Sequence, residues 1–140
     1  MKVKILTVGK LSLKPAGELV LEYQKRLKHY LPVEIVAMKS VAELSEKLKS
    51  ADFLVVMDER GKSFTSVAFA KWIESKKMDA TKSLIFLVGP GEGLPKEIQS
   101  KANLLLRLSD FTLQHELALV ILMEQIYRAC TILKGEPYHK

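Results

Sequence analysis

The sequence predicts an α/β domain with a mostly parallel β-sheet flanked by helices. Two observations lead to this prediction. Five short apolar runs, rich in β-branched residues and leucine, alternate with segments of helical periodicity along the whole chain. Glycine, proline or short polar stretches separate these elements, as expected where strands and helices end. Because strands that alternate with helices pair in parallel through crossover connections, we expect one α/β domain spanning residues 1–140.

Composition restricts the class of protein. A chain of 140 residues with 48% hydrophobic and 27% charged residues is typical of one soluble globular domain. The net charge of +6 permits an anionic partner without requiring one. Cys130 is the single cysteine, which excludes a disulfide framework and a thiolate metal site. No run is long enough for a membrane span and the N-terminus has no signal-type apolar region, so the cytoplasm is the expected compartment.

The first half of the chain predicts three strands and two helices. The strands are residues 3–8, 33–38 and 53–57. Pro15 suits the first turn of the first helix. Leu19, Tyr23 and Leu27 recur at helical spacing, so we expect them to face the core. A shorter helix is predicted near residues 41–48 from its apolar spacing.

The second half predicts a capped helix, two strands and a long final helix. Ser63, Thr65 or Ser66 can cap the third helix. The strands are residues 84–88 and 104–108, with a short helix beginning at Pro95 between them. The last helix covers about residues 115–133 and should end at Gly135 with C-cap chemistry.

The last helix is apolar on all sides between residues 117 and 123. A helix of this kind must be covered on more than one side. In a chain this small, a partner subunit is the simplest cover, so we predict a homodimer built partly on this helix. Cys130, further along the same helix, is most simply a core residue.

Three segments each follow a predicted strand: residues 58–62, 89–93 and 108–113. Because parallel strands end at one edge of a sheet, we expect these segments to meet there. Backbone groups and small residues dominate them, which suits a neutral or zwitterionic ligand. The glycine-rich segment 89–93 matches neither the dinucleotide fingerprint nor a P-loop, so a ligand loop and a tight connection both stay open. Segment 58–62 is expected to be a glycine turn, either a site edge or a plain polar loop.

Catalytic signatures are few. The chain shows no Ser/His/Asp spacing, no zinc-protease motif and no paired carboxylates, which favours a transferase whose cofactor carries the reactivity. Glu124 and Arg128 have the spacing of a helix-surface ion pair. His115 can cap or pack at the start of the last helix. The C-terminal tail, unlike these residues, collects several functional groups. Tyr138, His139 and a terminal lysine bring together an aromatic ring, an imidazole and a cation.

Four ordered motifs together resemble the RlmH family, SPOUT-class methyltransferases of large-subunit ribosomal RNA. They are residues 86–94 (FLVGPGEGL), 108–115 (LSDFTLQH), 124–129 (EQIYRA) and 135–140 (GEPYHK). The resemblance covers the whole chain. It implies an α/β domain with a deep C-terminal trefoil knot, S-adenosylmethionine bound in the knotted loops, and a homodimer. The reaction that it implies is methyl transfer to N3 of a pseudouridine in helix 69 of 23S ribosomal RNA.

The resemblance also implies site residues. Cofactor contacts fall on Met57, Gly89, Leu108, Ser109, Asp110, Phe111, Thr112 and Leu113. The tail, with Tyr138 and His139, is expected to reach into the partner's cofactor pocket, near Arg128 and Glu124. As hypotheses, His139 is a general base, Tyr138 positions the acceptor base, and Arg128 stabilises the imide anion.

Two positions depart from the family pattern. Pro90 stands where a second glycine is common, which stiffens the loop, and Leu119 stands where an arginine is expected. The second departure puts in doubt any RNA or cofactor contact made at that position. The alternative to an enzyme is a non-catalytic α/β module that binds a nucleotide or RNA.

Overall fold

A computed structural model of the protein describes residues 1–91 and 93–140; Glu92 of the glycine-rich motif lies outside the described residues. Within them, five parallel strands form one sheet in the order β2-β1-β4-β3-β5. The strands are β1 (Lys2–Val8), β2 (Val33–Met38), β3 (Phe53–Ser63), β4 (Ser83–Val88) and β5 (Leu104–Arg107). The helices are α1 (Lys14–Leu27), α2 (Leu44–Leu48), α3 (Ser66–Met78), α4 (Lys96–Gln99) and α5 (His115–Leu133), with a 3₁₀ turn at Val41–Glu43. The predicted α/β class is confirmed.

The sheet is covered on both faces, and β4 shows why its sequence is continuously apolar. Leu84, Phe86 and Val88 point into a cluster that α1, α3 and α5 complete. Ile85 and Leu87 point to the other face, into a cluster completed by α2 and α4. Successive side chains of a strand alternate between faces, so a strand buried on both sides must be apolar at every position.

The phase of α1 differs from the prediction. Leu19 was expected in the core, but 46% of its surface is exposed. Ala16, Val20 and Leu27 are buried instead, and Tyr23 packs against the same cluster. The buried stripe begins with Ala16 and Val20. The packing of α1 against α5 decides that this stripe, and not the one that contains Leu19, faces the core. Spacing alone does not distinguish this stripe from its neighbour, because both recur at helical periodicity.

Strand β3 is longer than predicted, and the expected glycine turn at residues 58–62 is wrong. The strand runs to Ser63, with a register irregularity between Met57 and Lys62 along its pairing with β5. Gly61 permits this continuation, since a Cβ there would lie 2.5 Å from the backbone carbonyl carbon of Leu105. A side chain at position 61 would push β5 away, so glycine acts here through close backbone approach and not through a turn.

Helix α5 begins and ends as the sequence indicates. The side chain of Gln114 caps it by accepting hydrogen bonds from the N–H groups of Glu116 and Leu117, at 2.8 and 3.0 Å. Gly135, at φ +69°, ends it, and the N–H of Glu136 donates to the carbonyl of Thr131 at 2.9 Å. This geometry satisfies carbonyls that the helix leaves unpaired.

Much of the apolar surface of α5 is covered within the chain. Helices α1 and α3 pack on it, and Leu119, Leu122 and Met123 are fully buried. Leu117 stays 48% exposed. Apolarity around α5 therefore largely reflects its place between two helices and the sheet, and Leu117 in its first turn is its most exposed large apolar residue. Among the described residues, none of the helices combines the length and apolarity that a bilayer crossing needs.

Candidate active site

Residues 57–60 of β3 and the segments that follow β4 and β5 border a pocket of about 420 Å³. Seven of the eight residues expected to bind a cofactor line it: Met57, Gly89, Leu108, Ser109, Phe111, Thr112 and Leu113. The eighth, Asp110, is not among the lining residues and pairs with Arg107 across 3.1 Å. The fold thus brings together three segments that lie far apart in the sequence. The pocket has the size of a small-molecule site.

The glycine-rich loop after β4 forms one wall of this pocket. A Cβ at Gly89 would lie 2.6 Å from Cγ of Leu94, so the absence of a side chain lets the loop fold back on itself. Gly93 has φ +90°, a conformation that favours glycine, and its N–H donates to the carbonyl of Pro90 at 2.9 Å. Pro90 therefore takes part in the turn and lines the pocket without interrupting it.

The segment after β5 forms the opposite wall. Ser109 Oγ accepts a hydrogen bond from the N–H of Phe111 at 2.9 Å, which folds the segment tightly. The Phe111 ring is 83% exposed at the pocket rim. His115 also lines the pocket, so it neither caps α5, which Gln114 does, nor belongs to the core. Leu119, by contrast, is buried in the core and does not line the pocket.

An ion pair lies on the third side. The Asp58 side chain is only 9% exposed, and its Oδ1 accepts hydrogen bonds from the backbone N–H of Arg60 at 2.7 Å and from its Nε at 3.3 Å. The Arg60 guanidinium lowers the pKa of Asp58, which keeps the carboxylate ionised. Both residues line the pocket, as do Glu59 and Arg107, so charges of both signs border it. Among the residues that the structure describes, no three His, Cys, Asp or Glu side chains gather to hold a metal ion.

The residues expected on the acceptor side form a second cluster, which we call the tail cluster: Tyr138, His139, Glu124 and Arg128. Two guanidinium nitrogens of Arg128, Nη2 and Nε, lie 2.6 and 3.0 Å from Oε1 of Glu124. Tyr138 Oη donates to the same oxygen at 3.0 Å, and Arg128 lies over the Tyr138 ring at 4.9 Å. Arg128 Nη1 is 3.0 Å from His139 Nδ1. None of the four lines the pocket of its own chain.

Aromatic residues hold the tail in place. Tyr30 Oη donates to Glu136 Oε2 at 2.5 Å, and this hydrogen bond raises the pKa of Tyr30 to about 12. Tyr138 packs edge-on against Tyr127 with ring centroids 4.8 Å apart. Burial, followed by hydrogen bonds to Tyr23 and Glu124, raises the pKa of Tyr138, so its hydroxyl stays protonated and able to donate. A C-terminal segment of this composition is ordinarily poorly ordered; here these contacts fix its conformation.

Sequence reasoning missed one residue that shapes the site. Glu116 is 2% exposed, and its Oε1 accepts hydrogen bonds from the N–H groups of Ser12 and Leu13. It thereby ties the start of α1 to the start of α5, beside the pocket residues His115 and Ala118. An acidic residue in the first turn of a helix is itself common. Nothing in the local pattern points to partners near residue 12.

Comparison with known proteins gives a consistent result. Residues 1–139 match the family described as predicted SPOUT methyltransferase. A ribosomal RNA large subunit methyltransferase H from Coprothermobacter proteolyticus is 39% identical over 140 residues, covering 100% of both chains. The protein of the same name from Syntrophotalea carbinolica is 35% identical over 154 residues, covering 99% of each. A probable methylase family protein from Haemophilus influenzae shares the fold, with a TM-score of 0.63 at 13% identity over 99% of this chain and 70% of that one.

Proposed function

The chain belongs to the SPOUT methyltransferase family, whose methyl donor is S-adenosylmethionine, and from this premise we propose that it methylates ribosomal RNA of the large subunit. The acceptor in this proposal is N3 of a pseudouridine in helix 69 of 23S ribosomal RNA. Full-length relatives that carry the name ribosomal RNA large subunit methyltransferase H support the substrate class. The net charge of +6 suits a polyanionic partner, and a ribosomal substrate implies work in the cytoplasm.

The observation that carries the proposal is the pocket between residues 57–60 of β3 and the segments that follow β4 and β5. Its glycine loop and the segment 108–113 offer backbone groups and apolar side chains, which suit the adenine and ribose of the donor. Gly89 lets Leu94 pack against the loop, where a side chain at position 89 would clash with it. Asp58 and Arg60 place opposite charges at the wall, matching the zwitterionic amino-acid end of the donor. The residues present therefore fit S-adenosylmethionine.

When bound, S-adenosylmethionine supplies a methyl group activated by its sulfonium centre. The protein must then hold N3 of the acceptor in line with that methyl group and favour loss of the N3 proton. The tail cluster has the groups that these two requirements call for. Tyr138 can position the acceptor base, while Arg128 and His139 can stabilise charge on the imide.

The tail cluster and the pocket do not meet within one chain, since no member of the cluster lines the pocket. Methyl transfer requires acceptor and donor in contact. We therefore propose a homodimer in which the tail of one protomer serves the pocket of its partner. Exposed leucines on or directly before α1 and in the first turn of α5 support such an interface: Leu13, Leu19, Leu21 and Leu117.

The C-terminal trefoil knot is part of the same proposal. Strand β5 pairs with β3 on the side opposite β4, so the connection from β4 to β5 passes β3. The knot in this proposal follows from membership of the family, and it would involve the loop after β4 and the segment 108–113, which line the same pocket.

The test uses ribosomes from a strain that lacks this enzyme. Purified protein and S-adenosylmethionine are added, and 23S ribosomal RNA is mapped by mass spectrometry. We expect one added methyl group, on the pseudouridine-containing fragment of helix 69, and none without the donor. Titration calorimetry with S-adenosylmethionine is run in parallel. Binding of the donor without any methylation would contradict the proposal and favour a non-catalytic module; absence of donor binding would remove its basis.

A further inference from the structure

The hydrogen bond between Arg128 and His139 fixes where the imidazole carries its proton. Arg128 Nη1 lies 3.0 Å from His139 Nδ1. A guanidinium has N–H donors and no acceptor. Its pKa is raised further by the hydrogen bond to Glu124, so Arg128 stays charged. Arg128 is therefore the donor, His139 Nδ1 accepts with its lone pair, and the proton of the neutral ring resides on Nε2.

The guanidinium that imposes this tautomer is itself held in place. Nε and Nη2 of Arg128 both donate to Oε1 of Glu124, and the Tyr138 ring lies 4.9 Å from the guanidinium carbon. Tyr138 is in turn held by Glu124 and lies 3.5 Å from the hydroxyl of Tyr23. The charged and titratable groups of the cluster that holds the imidazole are thus Arg128 and Glu124 on α5, Tyr138 in the tail, and Tyr23 on α1; Lys140 follows His139 in the chain.

This arrangement is unlike that of a histidine general base. Such a histidine typically donates from Nδ1 to a carboxylate and leaves Nε2 free to take up a proton. Here the cation of Arg128 occupies Nδ1, and Nε2 already carries hydrogen. Proton uptake at Nδ1 would break the bond to Arg128 and place two cations side by side.

We propose that His139 serves methyl transfer as a neutral hydrogen-bond donor through Nε2–H, and not as the general base. The inference rests on the proposed function. In the step, N3 of the pseudouridine loses its proton to solvent, and the negative charge spreads to the two flanking carbonyl oxygens. Nε2–H donates to one of these oxygens, as a donor in an oxyanion hole does. The N3 electron pair then forms the bond to the methyl carbon, while the carbon–sulfur pair leaves with sulfur to give S-adenosylhomocysteine.

Two variants distinguish a hydrogen-bond donor from a general base at position 139. His139→Ala removes the ring, and we expect a fall in kcat of about 10²–10³-fold, the usual cost of one lost oxyanion donor. His139→Gln keeps an N–H near the Nε2 position but has no titratable group, and we expect kcat within about tenfold of the natural enzyme. Its pH–rate profile should run parallel to that of the natural enzyme. Equal losses in both variants would overturn the inference, as would no loss in either; thermal unfolding of each variant checks its folding.

Nitrogen-15 NMR of the histidine rings tests the tautomer without any methylation. At neutral pH, His139 should show an unprotonated Nδ1 and a protonated Nε2; the His139→Gln variant assigns its signals against those of His29 and His115. Arg128→Ala should weaken the preference. A proton on Nδ1 in the natural protein would overturn the inference. Because the spectrum does not depend on activity, this failure is distinguishable from a failure of the proposed function, which would appear as unmethylated ribosomes with the natural enzyme.

Discussion

The carboxylate of Glu116 lies 2.6 Å from the backbone nitrogen of Ser12, although 104 positions separate the two residues. The same oxygen accepts the N–H of Leu13 at 2.9 Å. Leu13 directly precedes α1, and its apolar side chain cannot accept a hydrogen bond to cap the helix. A buried carboxylate on α5 therefore pairs backbone donors that would otherwise lack partners where α1 begins. The two helices that face each other behind the pocket are joined at their first turns.

Replacing Glu116 by glutamine should destabilise the protein in a pH-dependent way. Hydrogen bonds from Leu13, Gln114 and Ser12, with Leu13 the largest contributor, lower the pKa of Glu116. A carboxyl with a lowered pKa adds stability above its unfolded value, near 4.5, and loses it as the pH falls through the folded value. We expect Glu116→Gln to lower Tm by several degrees at neutral pH, with a smaller difference in acid.

Thermal denaturation of Glu116→Gln at several pH values from neutral to acidic measures this effect. Glu18→Gln, an exposed carboxylate on α1, is the matched control and should change stability little at any pH. A gap between Glu116→Gln and the natural protein that stays constant with pH would contradict the assigned cause.

Gly61→Ala should destabilise the sheet. The new Cβ would lie 2.5 Å from the Leu105 backbone, so β3 and β5 must separate locally, at a cost of about 1–3 kcal/mol. Gly17→Ala is the control, because its Cβ meets nothing within 4 Å and it lies inside α1. That change should stabilise by about 0.5–1 kcal/mol. Chemical denaturation measures both, and similar values for the two variants would show that β5 does not need the close approach.

Gly89→Ala should weaken binding of S-adenosylmethionine. Its Cβ would lie 2.6 Å from Cγ of Leu94, so either Leu94 or the loop must shift, and the pocket wall moves with it. We expect a dissociation constant raised about tenfold by calorimetry, equivalent to about 1.4 kcal/mol. Gly91→Ala, where a Cβ meets nothing within 4 Å, should weaken binding less. Equal effects at both positions would mean that the fold-back against Leu94 does not shape the site.

Leu117→Lys should weaken the proposed homodimer. Leu117 is 48% exposed at the start of α5, and Glu116 holds exposed Leu13 close to it. A charge in such an apolar patch must be desolvated on association, so the dimer dissociation constant should rise at least about tenfold. Sedimentation velocity over a concentration series measures it. Met78→Lys changes a still more exposed apolar residue at the end of α3 and should leave association unaltered; a dimer that tolerates Leu117→Lys equally well would place the interface elsewhere.

Local patterns were sufficient where a residue's neighbours in sequence determine its state. The run at residues 84–88 is apolar at every position, and it is the central strand. Helix α5 has its predicted bounds because Gln114 and Gly135 define them within one turn of the helix. Where the deciding neighbour is distant, patterns failed: Gly61 suggests a turn until Leu105 is known to lie against it.

The sequence by itself determined the α/β class, the order of the elements, and the meeting of the chain after residues 57, 88 and 107 at one pocket, because parallel neighbouring strands run to the same edge of the sheet. The four motifs determined the family. Only the tertiary structure decided which face of α1 is buried and that β3 continues past Gly61. It also decided that Glu116 accepts a hydrogen bond from Ser12 and that Arg128 contacts Nδ1 of His139. Each of these depends on an atom brought close by folding of the whole chain, and no periodicity along the sequence encodes that distance.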